Sequence, residues 1–209
     1  MKTYVIGDIH GMSCKLEKLL DAIPFDPQVD RLAFLGDYID RGPNAKGVLE
    51  RIVSMREEGI ETICLMGNHE QMWRDYEEDK EVAPFLVNGG VETLQCYVEP
   101  PSGRIAVPSS HRRFLQSLLP YCELDDFILV HAGLRPGVPL EKQMEDDLYW
   151  IRLPFIRSRY DFGKRVIFGH TPFTRPYMDP FKIGIDTGAV YGNRLSCVCL
   201  PEIKFYSVS

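Results

Sequence analysis

The chain has 209 residues, of which 44% are hydrophobic and 26% charged, a composition typical of a soluble globular protein. Its length is close to that of one average domain, so we expect a single domain over residues 1–209. The net charge of −6 provides no basic surface for nucleic acid or for an acidic membrane. We therefore expect neither nucleic acid nor a membrane as a partner.

Cysteine usage and the lack of long apolar runs indicate the cellular compartment in which the protein acts. The first motif begins at Gly7, which leaves no room for a signal peptide, and no apolar run approaches the roughly 18 residues of a membrane span. Six cysteines are scattered without a CxxC pair. We expect reduced thiols, a cytoplasmic location and, by default, a monomer. Cys197 and Cys199 are expected to pack in the core rather than to bind metal.

The predicted elements begin with apolar, β-rich runs that each end at Gly, Asp, Asn or His. In chain order these runs are TYVIGDIHG, RLAFLGDYIDRG, ETICLMGNHE, DFILVHAG, RVIFGHT and KIGIDTGA. Helical patterns lie between the first three runs, one after a Ser13 cap and one between Pro43 and Gly59. This alternation predicts βαβ units with functional residues on loops at the carboxyl ends of the strands.

The pattern weakens after Trp73. The stretch EEDKEVAPFLVNGGVETLQCY predicts helix with a break at Gly89 and Gly90, and a proline-rich loop then leads to another short helix. We expect this part of the chain to cover the site. The tail GNRLSCVCLPEIKFYSVS alternates with a period of two around Pro201, which predicts a closing antiparallel hairpin.

Six side chains that can bind metal follow these apolar runs at corresponding positions. Asp8 and His10 are two residues apart after the first strand, so both can point the same way. The other four follow four later strands: Asp37, Asn68, His131 and His170. Each alone is more typical of a turn or of a structural role. Because four of the five histidines directly follow apolar runs, we interpret the set as ligands for two divalent ions.

The motifs GDIHG, GDYIDRG, GNHE, HAG and GHT occur in this order between Gly7 and Thr171. They resemble the metallophosphoesterase superfamily, and within it the phosphoprotein phosphatase family of small bacterial and phage serine/threonine phosphatases. The resemblance implies an α/β fold in which two mixed β-sheets pack as a sandwich flanked by helices, in α-β-β-α order. A dinuclear metal centre would lie at the strand ends.

The same resemblance assigns the ligands. Asp8 and His10 would bind one ion and Asp37 would bridge both. Three residues would complete the second site: Asn68, His131 and His170. We expect manganese, with iron, zinc or cobalt as alternatives that the same nitrogen and oxygen ligands accept.

Two ions about 3.5–4 Å apart can lower the pKa of a bridging water and stabilise an in-line displacement, so hydrolysis needs no protein nucleophile. We expect Arg41 to bind phosphate oxygens. Asp40 is expected to orient His69 and to favour its imidazolium form, which would protonate the departing alkoxide as general acid. The family pattern also implies a second phosphate-binding arginine, for which Arg152 in LYWIRLPF is the candidate, although several more arginines lie nearby.

Two further acidic residues have expected supporting roles. Glu70, which closes GNHE, is expected to pair with an arginine and so to fix its loop. Asp186 lies in GIDTGA, a stretch similar to a family segment that supports the site, but an aspartate at this place can equally cap a turn.

The motifs thus predict a serine/threonine phosphoprotein phosphatase that acts on a phosphorylated protein or peptide, or on a small phosphorylated metabolite. The nearest alternative is a bis(5'-nucleosyl)-tetraphosphatase, which hydrolyses diadenosine polyphosphates with the same ligands. Symmetrical enzymes of that kind carry GDLVARG and GNHD, whereas this chain has GDYIDRG and GNHE, so Asp40 favours a phosphomonoester.

An inactive scaffold and a phosphodiesterase are less favoured. A phosphatase-fold scaffold without activity would be expected to have lost ligands, and all six are present in this chain. Phosphodiester hydrolysis lies within the reach of the superfamily, but Arg41 suits a dianionic monoester better.

Overall fold

The computed structural model describes all residues 1–209 and contains twelve strands. The strands are β1 (Thr3–Ile6), β2 (Arg31–Phe34), β3 (Thr62–Cys64), β4 (Val98–Glu99), β5 (Arg104–Ile105), β6 (Tyr121–Glu123), β7 (Phe127–Val130), β8 (Arg165–Phe168), β9 (Tyr177–Met178), β10 (Lys182–Gly184), β11 (Leu195–Leu200) and β12 (Lys204–Val208).

Eight α-helices accompany the strands. They are α1 (Ser13–Ala22), α2 (Ala45–Glu57), α3 (Asn68–Glu77), α4 (Val82–Phe85), α5 (Val91–Gln95), α6 (Ser109–Gln116), α7 (Glu145–Trp150) and α8 (Leu153–Ile156). A π-helical turn, Leu86–Gly90, joins α4 to α5, and 3-10 turns lie at Leu140–Lys142 and Ala189–Tyr191. None of these helices is both long enough and apolar enough to cross a membrane.

The strands form two five-stranded mixed sheets. The first has the order β12-β11-β1-β2-β3, in which β1, β2 and β3 are parallel and β11 runs antiparallel to β1. The second has the order β6-β7-β8-β10-β9, in which β7, β8 and β10 are parallel and both edge strands are antiparallel. Strands β4 and β5 form a separate hairpin. The parallel strands bring their carboxyl ends to one edge of each sheet.

The two sheets pack face to face. Along β1, Val5 belongs to one buried cluster, whereas Tyr4 and Ile6 belong to another. The cluster that contains Val5 draws on both sheets: Ala33, Leu35, Leu65, Phe127, Leu129, Ile167, Ile183, Ile185, Val198 and Leu200. Because successive strand side chains point to opposite faces, this cluster fills the space between the sheets and the other lies under the helices. The predicted sandwich flanked by helices is confirmed.

Most predicted elements are present, and one helix start differs. The tail forms the predicted hairpin of β11 and β12, and the kink at Gly89 falls where the glycine pair predicted a break. Ser13, however, is the first residue of α1 and does not cap it; its hydroxyl accepts a hydrogen bond from Nδ2 of Asn44 at 3.0 Å. Asn44 itself caps α2, because its Oδ1 accepts from the N–H of Gly47 at 2.9 Å.

The cysteines are all free thiols. Cys197 and Cys199 lie on β11 in the cluster under the helices and are at most 2% exposed. They pack as small apolar side chains, as the alternation of the run indicated.

Candidate functional site

The six predicted metal ligands converge at the carboxyl ends of the parallel strands. They follow β1, β2, β3, β7 and β8, and each is at most 4% exposed: Asp8, His10, Asp37, Asn68, His131 and His170. Strands from both sheets therefore contribute to one buried polar cluster. Their roles as ligands remain predictions.

Sharp backbone turns aim these side chains at one another. His10, Asp37 and His170 have φ angles of 47°, 52° and 61°, a left-handed conformation that costs non-glycine residues about 1–3 kcal/mol each. The loop after β1 is held to the loop after β2, because the N–H groups of Ile9 and His10 both donate to the carbonyl of Asp37, at 3.1 and 2.8 Å. Such strain persists only where neighbouring contacts enforce it.

Asp37 lies between two histidine groups. Its Oδ2 is 3.2 Å from Nε2 of His10, and its Oδ1 is 3.4 Å from Nε2 of His131. Possible ligand atoms form two groups, each within 4.8 Å: His10, Asp37 and His69 in one, and Asp37, His131 and His170 in the other. Since Asp37 belongs to both, its carboxylate has the placement of a bridging ligand.

The chemistry of these atoms fits a cation. Nδ1 of His131 lies 2.8 Å from the carbonyl of Leu35, which can only accept, so Nδ1 carries the hydrogen and Nε2 is an acceptor. Nε2 of His131 faces Oδ1 of Asp37. It also lies 3.0 Å from Oδ1 of Asn68, whose side-chain amide turns its oxygen toward the ring. Burial lowers the pKa of His131, which keeps the ring neutral. Three acceptors without a hydrogen between them form an arrangement that a divalent ion would satisfy.

Asp8 and His170 add further ligand atoms. Oδ2 of Asp8 accepts from the backbone N–H of His170 at 2.9 Å, while Oδ1 of Asp8 and Nε2 of His170 are buried without a hydrogen-bond partner. Burial lowers the pKa of His170 to about 2, so the imidazole is neutral and can donate a lone pair. Burial, with the charges of Asp186 and Asp37, raises the pKa of Asp8, a cost that a nearby cation would offset.

Arg41 reaches the same cluster. Its Nη1 lies 2.9 Å from Nε2 of His10, and its guanidinium lies 5.8 Å from the ring centre of Tyr191, which is 63% exposed. The guanidinium thus lies between the buried centre and the surface. The role of Arg41 in binding phosphate oxygens stays a prediction.

The predicted pair of Asp40 and His69 is present. Nδ1 of His69 is 2.7 Å from Oδ2 of Asp40, and neither side chain is exposed. Nε2 of His69 is buried without a partner, and the ring lies 4.7 Å from that of His10, centre to centre. The ring of His69 therefore borders the candidate ligands, and its Nε2 has no hydrogen-bond partner.

The expectation that Asp40 favours the imidazolium form of His69 stays a prediction, which burial of the pair opposes. Burial lowers the pKa of His69 to about 3 and raises the pKa of Asp40 to about 7, so burial disfavours both charged forms. The contact between Oδ2 of Asp40 and Nδ1 of His69 leaves Nε2 as the free nitrogen of the ring.

Arg152 lies at the edge of the cluster. It directly precedes α8, is exposed, and its side chain makes no hydrogen bond within the protein. Its charge acts on His170, whose pKa is lowered mainly by burial and then by His131 and Arg152. Arg135, in contrast, is occupied by Asp147, with Nε to Oδ2 at 2.7 Å. Of these two arginines, Arg152 has the free side chain, and its role in binding phosphate stays a prediction.

Glu70 does not pair with an arginine, and that expectation is wrong. The side chain turns inward, is 1% exposed, and accepts hydrogen bonds from the N–H groups of Asp37 and Tyr38, both at 2.8 Å, and of Gly67 at 3.1 Å. A Cβ at Gly67 would lie 2.3 Å from Oδ1 of Asp37, so this close approach requires glycine. Glu70 thereby joins the loop after β2 to the loop after β3.

Three supporting contacts remain. Asp186 caps a turn, since its Oδ1 accepts from the N–H of Gly188 at 2.8 Å. No sequence pattern singled out Lys182, which is fully buried and donates to the carbonyl of Phe155 in α8 at 3.0 Å. No pattern singled out Thr93 either, whose hydroxyl contacts Asp40. The nearby pair Gly89 and Gly90 was the one available signal.

Comparisons with known proteins show what this chain is similar to. The model of the family Calcineurin-like phosphoesterase matches residues 1–192. Serine/threonine-protein phosphatase 1 of Salmonella typhimurium is 34% identical over 199 residues, which cover 92% of this chain and 89% of that protein. The asymmetrical bis(5'-nucleosyl)-tetraphosphatase PrpE of a Geobacillus species is 30% identical, with 100% of this chain and 94% of that protein covered.

A comparison with solved structures finds the same fold. A crystal structure described provisionally as a diadenosine tetraphosphatase matches with a TM-score of 0.77 and 24% identity, over 99% of this chain and 92% of that chain. Members of the matched family are phosphoester hydrolases with a dinuclear divalent metal centre, for which the cluster around Asp37 supplies suitable ligands. The chain belongs to the calcineurin-like phosphoesterase family.

Proposed function

We propose that this metallophosphoesterase is a phosphoprotein phosphatase that hydrolyses phosphoserine and phosphothreonine. The buried pair of Asp40 and His69 is the observation that carries the proposal, because the free Nε2 of His69 lies among the candidate ligands. Hydrolysis of such an ester releases an alkoxide, a poor leaving group that needs a proton. A positioned general acid is therefore of most use for this class of substrate.

Two divalent ions, when bound, would activate a water and stabilise the attacking and leaving oxygens. We propose that the ligands are those converging at the strand ends: Asp8, His10, Asp37, Asn68, His131 and His170. Manganese is the proposed metal, although the nitrogen and oxygen donors also accept iron, zinc or cobalt. Nδ1 of His131, held by the carbonyl of Leu35, fixes which nitrogen faces the centre.

The remaining residues bind the phosphate and move a proton. Arg41, whose guanidinium reaches His10, would hold one phosphate oxygen, and Arg152 would hold another. His69 would give the hydrogen on Nε2 to the leaving oxygen. Asp40 would hold the ring in place through its contact with Nδ1.

Hydrolysis of dinucleoside tetraphosphates is the second candidate. A relative that covers nearly the whole chain is named for that reaction. The exposed ring of Tyr191 beside Arg41 also offers a flat surface on which a base could stack. A nucleoside polyphosphate is a better leaving group than an alkoxide, so this reaction depends less on His69.

The two candidates are separated by the effect of His69→Asn. Enzyme loaded with Mn²⁺ would be assayed on a phosphoserine peptide and on diadenosine tetraphosphate, with His111→Asn as a matched buried-histidine control. We expect His69→Asn to lower kcat for the peptide by about 10²–10⁴-fold and His111→Asn to leave it nearly unchanged. Faster turnover of the dinucleotide with little loss in His69→Asn would support the second candidate instead.

We also propose that the chain acts in the cytoplasm as a monomeric single domain on phosphorylated proteins or peptides. The six free thiols are consistent with a reducing compartment. The cluster between the two sheets draws on strands from both halves of the chain, which supports one folding unit. Light scattering after size exclusion tests the oligomeric state, and a mass of twice the chain would contradict the monomer.

A further inference from the structure

Thr93 makes two hydrogen bonds to one residue of the acid pair. Its Oγ1 accepts from the backbone N–H of Asp40 at 2.8 Å and donates to Oδ1 of Asp40 at 2.6 Å. The threonine is 1% exposed. A hydroxyl has one hydrogen, and here it points to Oδ1 because the other contact is with a donor. Oδ2 is thereby left for Nδ1 of His69.

The segment that carries Thr93 also contacts Arg41, the residue that follows Asp40. The carbonyl of Gly89 accepts from the N–H of Arg41 at 3.2 Å. Asp40 and Arg41 are consecutive left-handed residues, with φ angles of 70° and 67°. A Cβ at Gly89 would lie 2.6 Å from the nitrogen of Arg41, so glycine permits this approach. The segment around α5 thus holds both strained residues through hydrogen bonds.

The same segment is anchored to the helix that begins beside His69. Phe85, just before the π-helical turn, packs edge-on against Trp73 of α3 with ring centres 5.4 Å apart. Asp40 and His69 are therefore both attached to one packed unit, which keeps their relative position fixed.

We propose that Thr93 is a positioning residue for the general acid, an inference that rests on the proposed acid role of His69. Thr93 fixes the carboxyl group of Asp40 so that Oδ2 meets Nδ1 and Nε2 of His69 points to the leaving oxygen. In the step, the Nε2–H bond breaks as the O–H bond of the released alcohol forms. The ring loses one proton and stays hydrogen-bonded through Nδ1 to Oδ2 of Asp40, and water later returns that proton.

Substrates with different leaving groups test this role. Thr93→Val keeps the shape but removes the hydroxyl, Thr93→Ser keeps the hydroxyl, and Thr93→Ala is a second variant without it. Thr3→Val is the matched control, because Thr3 is also buried and its hydroxyl accepts from Nε of Arg31 at 2.8 Å, on the first strand. Each would be assayed with a phosphoserine peptide and with 4-nitrophenyl phosphate, whose leaving group needs no acid, and His69→Asn would be included.

We expect Thr93→Val and Thr93→Ala to lower kcat for the phosphoserine peptide by about tenfold or more, with KM and the rate on 4-nitrophenyl phosphate little changed. Thr93→Ser and Thr3→Val should retain both rates. An equal loss on both substrates, or a Thr93→Ser variant as impaired as Thr93→Val, would overturn the proposal. If His69→Asn lowered both rates equally or neither, the acid role of His69 would be wrong. If His69→Asn lowered only the rate on the phosphoserine peptide and the Thr93 variants did not, the acid role would stand and the positioning role of Thr93 would be wrong.

Discussion

Nδ1 of His69 lies 2.7 Å from Oδ2 of Asp40 inside a fully buried pair. Asp40→Asn keeps the size of this side chain but removes the carboxyl group that contacts Nδ1. We expect kcat on a phosphoserine peptide to fall by about 10–100-fold while bound metal is retained. Steady-state kinetics and metal analysis check this, with Asp21→Asn on the exposed end of α1 as control. Unchanged kcat would mean that Asp40 does not support the acid.

Asp37 is the one carboxylate shared by both candidate ligand groups. Asp37→Ala should therefore reduce affinity for both ions, whereas His170→Ala should reduce affinity at one site only. Metal content per chain after dialysis, measured by atomic emission, distinguishes these outcomes. A variant of Asp37 that still binds two ions per chain would contradict the bridging role.

The buried carboxylate of Glu70 accepts from several backbone N–H groups. In Glu70→Gln an amide NH₂ replaces one acceptor and must face a donor. We expect a loss of about 1–3 kcal/mol in the free energy of unfolding, measured by urea titration. Glu77→Gln, which removes only the surface pair with Arg112, should cost under about 1 kcal/mol. Equal losses in both variants would argue against the loop-joining role of Glu70.

We expect His111, which is not part of the candidate metal centre, to make the stability of the protein depend on pH. Burial lowers its pKa in the folded protein, so below about pH 6.5 the unfolded chain binds a proton that the folded chain does not. Stability should therefore fall as the pH decreases through this range. The free energy of unfolding of His111→Gln should fall less between pH 7 and pH 5 than that of the unaltered chain. An identical slope would show that His111 does not contribute.

The ligand cluster could be predicted from sequence because strand ends are easy to recognise. Asp8, Asp37 and His131 each follow an apolar run, and parallel strands bring such positions to one edge. The sandwich was implied by the resemblance of the five motifs to a known family, and the strands are buried on both faces as that architecture requires, as along β1. Local pattern was therefore enough to place the residues of the centre.

The supporting contacts could not be predicted in this way. Thr93 meets Asp40 across 53 residues of sequence, and Glu70 meets the backbone of Asp37 across 33 residues. Neither contact leaves a periodic signal. The charge state of the pair also depends on complete burial of Asp40 and His69, which only the packed structure shows. Sequence pattern thus located the reacting groups but not what holds them or sets their protonation.

The most direct test of the central claim compares two substrates with the unaltered enzyme. Protein freed of metal and then loaded with Mn²⁺ would be given a phosphoserine peptide and diadenosine tetraphosphate under the same conditions. The proposed function predicts a higher kcat/KM for the peptide and no turnover of either substrate before metal is added. A higher kcat/KM for diadenosine tetraphosphate would contradict it and would make dinucleoside polyphosphates the substrate class.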